Sequence, residues 1–197
     1  MKHNRGWYRI WTGLFSLLLF TVLVTRGVIA APPDSSIQIK IDASQATPRE
    51  VEDQTKQSIV RDYGKAWQSL ELALATNRAD LLNPGFVGFA RERWGATLAE
   101  QGKAGMSQRV VDRGHQLQVL FYSAEGSAME IRDTAQLEIQ YLADGKVVHS
   151  ERVKGQYMVL MTPAESSWKV RILQEVPPDS LRQATAIRVS GGGTGSK

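Results

Sequence analysis

A chain of 197 residues without cysteine excludes disulfides, thiol catalysis, cysteine-held metals and a cysteine-linked lipid anchor. Its length leaves room for one domain of ordinary size plus tails. The net charge of +4 resides in Lys2, Arg5, Arg9 and Arg26; beyond residue 30, 20 basic side chains face 20 acidic ones, so composition gives nucleic-acid binding no support.

Lys2, Arg5 and Arg9 precede an apolar run from Gly13 to Val24, and Val28-Ile29-Ala30 has the small-residue pattern of a secretory cleavage site. Residues 1–30 therefore read as a signal peptide. The alternative is a signal anchor, with Arg26 reaching the outer interface. The uncharged stretch 10–25 falls short of the roughly 20 residues of a straight transmembrane helix. Both readings export the rest of the chain, to the periplasm or the exterior.

Residues 31–46 read as a linker, with the Ile37, Ile39 and Ile41 alternation lying extended on the domain; a short edge strand is the alternative. Thr47-Pro48-Arg49-Glu50 has the form of a helix start, with Thr47 as N-cap, Pro48 at the first position and Glu50 completing a capping box. The helix it predicts runs to about Thr76. Its apolar stripe is Val51, Thr55, Ile59, Tyr63, Trp67, Leu70 and Leu74. Gly64 within it predicts a close approach or a bend, and Asn77 a left-handed stop. A short capped piece, 79–82, leads to a second helix from Asn83-Pro84 to Gly102, with Phe86, Phe89, Ala90, Arg93, Trp94, Thr97 and Leu98 on its face.

Four segments then alternate at period two: 108–123, 128–142, 147–162 and 168–176. Their expected inner faces carry Val111, His115, Leu117, Val119 and Phe121; Met129, Ile131, Asp133, Ala135, Leu137, Ile139 and Tyr141; Val147, His149, Val153, Tyr157, Val159 and Met161; and Trp168, Val170, Ile172 and Val176. For the central hairpin, a two-residue Asp144-Gly145 turn would oppose apolar and polar residues. A three-residue loop, 143–145, matches them, with Gly145 left-handed and Asp133 opposite Gly155. Pro177-Pro178 stop the last strand. Residues 181–189 suggest a further short element, and 178–197 as a whole reads as a flexible tail. The fold class expected is α+β: amino-terminal helices packed on a strongly curved antiparallel sheet of about four main strands.

This order of elements resembles the NTF2-like (cystatin-like cone) superfamily. The resemblance rests on Tyr63 and Trp67, Ala79-Asp80-Leu81-Leu82, Asp144-Gly145, Tyr157 and Ser167-Trp168-Lys169-Val170, and covers about 47–177. It implies a sheet curled into a cone with helices across its mouth, in a superfamily that holds isomerases, dehydratases, cyclases and non-catalytic assembly domains. More loosely, one apolar leader before an exported domain resembles VirB8-type components of secretion channels, without their carboxy-terminal Asn-Pro signature.

Asp133 interrupts an apolar face. A five-residue loop before its strand would set it opposite Leu117, with His115 diagonal and Tyr157 nearby. Such a His–Asp–Tyr cluster could move a proton on a small carbonyl or hydroxyl substrate. The plainer expectation is Asp133 at a bulge facing water, with His115 near the sheet edge. Tyr63, Trp67, Trp94 and His149 are candidate ligand contacts, with Phe89 beside them; filling the core is the commoner use of such aromatics. His149 and Glu151 lack a third ligand, so no metal site is assigned, and no cofactor is expected. Arg109, Arg113, Arg152, Lys154, Lys169 and Arg171 form a basic stripe with Glu130 and Glu138 interspersed. The resulting expectation is an exported domain of the cell envelope working through a protein partner, with a homodimer compatible. A small apolar ligand or an isomerase or dehydratase activity in the cone is the alternative. Membrane contact would come only through residues 10–25 if these are retained.

Overall fold

The structure is a computed structural model that describes residues 38–177. The expectations for residues 1–37 and 178–197 lie outside the described residues. Ile39–Asp42 (β1) and Thr47–Pro48 (β2) pair in parallel with a later strand, so this stretch is sheet edge. The linker expected up to residue 46 therefore gives way to the edge-strand alternative. Ile39 and Ile41 pack against the core from that edge.

The first helix, α1, is Asp53–Thr76 and starts well after the expected cap. Thr47 is exposed and paired opposite Phe121, and the N-cap position is held by Glu52 without a side-chain cap bond. The reason is competition: an open strand edge gives the Thr47–Pro48 backbone a ladder to join, and tertiary pairing outweighs a capping preference of about 1 kcal/mol. Glu52 instead accepts from Arg49 Nη2 at 2.5 Å, and the Arg49 guanidinium lies 5.0 Å over the Tyr122 ring. Of the expected stripe, Val51 is buried but precedes the helix and Thr55 is half-buried; the rest of the stripe is met. Ile59, Tyr63, Trp67, Leu70 and Leu74 are buried, and Asn77 ends the helix at φ 54°. Gly64 allows a close approach, since a Cβ there would meet Ile39 Cδ1 at 3.2 Å.

Ala79–Leu82 forms a 3-10 turn, as expected. The second helix, α2, is Gly88–Lys103 and does not begin at Pro84. Residues 85–87 are again captured by the sheet. Val170 N–H donates to Gly85 O at 2.9 Å, and Val87 N–H donates to Val170 O at 3.0 Å. Gly85 permits this, because a Cβ would lie 2.6 Å from Ala66 Cα of α1.

Four long antiparallel strands come next: β3 (Met106–Tyr122), β4 (Met129–Ala143), β5 (Lys146–Ala164) and β6 (Ser167–Glu175). The sheet order is β1-β3-β4-β5-β6, with β2 also on β3. Register shifts at Arg113, Leu120, Val148 and Arg171 interrupt the ladders. Each adds a residue to one strand, bends it and increases its twist. The sheet curls, and its concave face closes on α1, which packs against β3 and β6 while α2 packs on β6.

The same bulges change which residues point inward. The β4–β5 connection is the two-residue turn rather than the expected three-residue loop. Asp144 (φ 49°) and Gly145 (φ 73°) are both left-handed, and Ala143 pairs with Lys146. The mismatch this creates is corrected at Val148, beyond which Tyr141 faces His149 and Asp133 faces Tyr157, not Gly155. Upstream of Arg113, Val110 and Asp112 replace Val111 opposite Ile139 and Leu137. Beyond Leu120, Tyr122 is buried and Phe121 is 39% exposed. In β6, Leu173 is buried where Ile172 was expected. Val147 and His149, expected inside, are exposed near the hairpin tip. The outcome, among the described residues, is an α+β fold, two helices on a curved, mostly antiparallel sheet.

Candidate functional site

The expectation for Asp133 is reversed. It is fully buried, and His115 is 2% exposed. The strand pairing explains why: Leu117 lies opposite Asp133 and His115 opposite Ala135, the diagonal arrangement. Asp133 Oδ2 accepts from Tyr63 Oη at 2.8 Å and lies 2.7 Å from His115 Nδ1. Tyr63 arrives from α1, so this oxygen ties helix to sheet, as does Asp62 of α1, which accepts from Trp168 N–H at 2.9 Å.

Two further acids belong to the cluster and escaped the sequence reading. His115 Nε2 lies 2.6 Å from Asp112 Oδ2. Residues three apart on a regular strand point to opposite faces; the bulge at Arg113 turns Asp112 to the side of His115. Gly114, at φ 136°, sustains the bulge, and its N–H donates to Asp112 Oδ1 at 2.7 Å. A Cβ at Gly114 would meet Gln38 O at 3.1 Å. The available signal was the Asp-x-Gly sequence itself. Glu71 lies one helical turn beyond Trp67, and the i, i+4 spacing places it on the buried stripe. Its Oε1 is buried without a hydrogen-bond partner.

With a carboxylate oxygen on each ring nitrogen, His115 is held as an imidazolium donating both ways. Burial alone would lower its pKa, but the hydrogen bonds to Asp112 and Asp133 outweigh that and raise it to about 9. Burial, then the charge of Asp112, raises Glu71 to about 7, with His115 opposing. Burial and the Asp133 charge push the Tyr63 hydroxyl well above the usual tyrosine range. Tyr157 is raised by burial and then by Glu175 and Asp133.

Aromatic rings fill the cone around this network. Trp67 lies 4.7 Å from the His115 ring and 5.7 Å from Tyr157, and Tyr63 lies 5.5 Å from His115, all centroid to centroid. Tyr157 also occupies the space over Gly155, where a Cβ would come within 2.8 Å of its ring. The structure thus brings together His115, Asp133, Tyr157, Tyr63 and Trp67. It leaves out Trp94, which packs at the core margin from α2, and Phe89, which is 52% exposed. His149 also stands apart, its ring 5.7 Å from Tyr141, whose hydroxyl donates to Glu151 at 2.9 Å. Among the described residues no third ligand joins His149 and Glu151.

A buried imidazolium between two carboxylates can store a proton and can lock a helix to a sheet. Both properties come from its hydrogen bonds and low-dielectric surroundings. The cluster lies inside a fold of the NTF2-like (cystatin-like cone) type. A solved structure shares this fold. The intermembrane space region of the chloroplast protein ARC6 matches at 16% identity with a TM-score of 0.55, over 66% of this chain and 98% of that one. Aln2 from a Streptomyces species matches at 13% identity and TM-score 0.46, over 69% and 99%. A domain of unknown function with a cystatin-like fold from Nostoc punctiforme matches at 11% identity and TM-score 0.36, over 71% and 98%. No family model matches the chain, and no curated protein matches it significantly.

Proposed function

We propose that this protein is an exported interaction or assembly domain of the cell envelope that works through its outer surface, with the His115 cluster serving as an internal fastener. The observation that carries this reading is the packing of the cone. Tyr63, Trp67, His115 and Tyr157 lie ring against ring where a substrate would have to enter, and Asp133 is fully buried beneath them. A catalytic carboxylate needs a reacting atom within hydrogen-bond reach. Here Asp133 Oδ2 is already taken by Tyr63 and His115. Export is supported by the basic and apolar order of residues 1–30.

Native mass spectrometry of the purified full chain tests the packed cone: the expected mass is that of polypeptide alone. A co-purifying small molecule lost in Asp133→Asn would overturn the reading. A reporter enzyme active only outside the cytoplasm, fused after residue 46, should be active; an inactive fusion would remove the envelope assignment.

One observation favours a second reading. Asp133 Oδ1 is buried without a partner, and an unmet buried carboxylate oxygen is costly. A small, mostly apolar molecule carrying one donor group would satisfy it if Tyr157 swung aside. Isomerase or dehydratase chemistry would then fall to His115 and Asp133.

A further inference from the structure

Beyond the cone, the sheet carries an edge with no strand beside it among the described residues. β6 pairs with β5 only from Tyr157 to Ala164, and the Val176 N–H adds a bond to Gln156 O. From Lys146 to Gly155 the side of β5 away from β4 has no strand partner among the described residues. The backbone groups along such an edge form a template for another strand. The corresponding edge of β3, before His115, is less open: Asn77 Nδ2 donates to Met106 O at 2.8 Å, and Met106 and Gln108 line a groove shared with α2.

The side chains along the β5 edge select what can join it. Arg152 and Lys154 lie opposite Glu138 and Gln136 of β4, on the face turned away from the core. Together with Arg113 they border a groove of about 380 Å³ that also includes Gln136, Leu137 and Val153. Glu138 is the acid between them, 2.9 Å from Arg113 and 3.4 Å from Arg152. The Arg152 side chain is still 83% exposed, and Lys154 makes no ion pair among the described residues. The other face of the edge carries half-buried Val153, then Glu151, which accepts from Tyr141 at 2.9 Å, and exposed His149 toward the hairpin tip.

We infer that β5 residues 149–155 receive an added strand from a partner protein, an extended segment alternating acidic and apolar residues. Its acidic side chains meet Arg152 and Lys154, and its apolar ones cover Val153. Charge decides against a second copy of this chain in that position. Antiparallel pairing of two β5 edges would bring Lys146, Arg152 and Lys154 of one toward the same cations of the other, and like charges across strands are destabilising. Edge lysines and arginines are a common device against self-pairing, and they leave the edge open to a partner of opposite charge. This inference rests on the proposed interaction role and names the partner's chemistry.

The probe is a fluorescent, acetylated octapeptide of alternating glutamate and valine, titrated into the full chain by anisotropy. Amide hydrogen exchange of residues 149–155 is followed in parallel. Binding should weaken with salt and protect those amides. Arg152→Glu with Lys154→Glu should raise Kd at least tenfold, as should a lysine–valine peptide. N-methylation of alternate peptide amides should abolish protection, since strand addition needs them. Unchanged exchange at 149–155, equal affinity for the lysine–valine or N-methylated peptides, or unaltered Kd in the double variant would overturn the inference. So would a dimer, seen by light scattering without peptide, that protects the same amides. A molecule found in the cone would defeat the assembly reading while leaving these edge amides unaffected, so the two failures are distinct.

Discussion

At the scale of single residues, His115 is the side chain on which most depends. Both ring nitrogens face carboxylates, and both it and Asp133 are out of water. Breaking a buried ion pair by removing one partner leaves a charge without compensation, at a cost of about 3–5 kcal/mol. Asp133→Asn is therefore expected to lower stability by about that amount. It should also bring the His115 pKa down from about 9. Urea denaturation and an NMR titration of the His115 ring check the two parts. An unchanged midpoint would mean that the network contributes nothing net. Asp133 itself was legible as an oddity in an apolar strand face. Its burial was not, because the outward and inward alternatives differ by a single bulge.

At the scale of elements, sheet edges overrode local signals in two places, and in a third a bulge let the local Asp-Gly turn stand against the strand pattern. Thr47 has the chemistry of an N-cap but sits in β2, so Thr47→Ala should change stability by no more than about 0.5 kcal/mol. A loss near 2 kcal/mol in thermal unfolding would restore the cap. Residues 84–87 have the chemistry of a helix start, yet they turn and then bridge to the sheet at Phe86, because Val170 of β6 bonds to Gly85 and Val87. In the β4–β5 turn, Gly145 is left-handed and Ala143 is a paired strand residue. Gly145→Val should be clearly more destabilising than Ala143→Val, since a β-branched residue is strained at positive φ. Denaturant midpoints of the two variants check this, and equal midpoints would exclude the observed turn.

For the whole molecule, the buried groups set an unusual pH dependence. His115 has a folded pKa above its ordinary 6.5, so the stability it contributes is fully present below about pH 6.5 and is lost as pH rises through about 9. Glu71, raised from 4.5 to about 7, has the same sign: its contribution is complete below 4.5 and declines up to about 7. In both cases the folded state holds the extra proton. Stability should therefore fall between about pH 5 and 9, the alkaline half being due to His115. His115→Gln should flatten that half in urea midpoints measured across the range. A midpoint that rises with pH in the parent protein would contradict the imidazolium assignment.

Local sequence chemistry determined the kind and order of the two helices and the four long strands. The i, i+4 stripe from Ile59 to Leu74 demanded a helix with one buried face. The period-two segments demanded a meander, and the Ala79–Leu82 turn and the Asn77 stop were readable from local chemistry. These are properties of one segment at a time. Tertiary structure decided where each strand changes face, where each helix begins and what lies beside His115. A bulge forms where the sheet must bend around α1, and that need belongs to the assembled core and to no single strand. Each of the four shifts exchanges inside for outside along the remainder of its strand, so Asp112 joined the cluster while Phe121 turned outward. Helix starts moved for a related reason. An open strand edge offers backbone partners that neighbouring residues cannot supply, and it took Thr47–Pro48 and Gly85–Val87 from the helices their sequences announce.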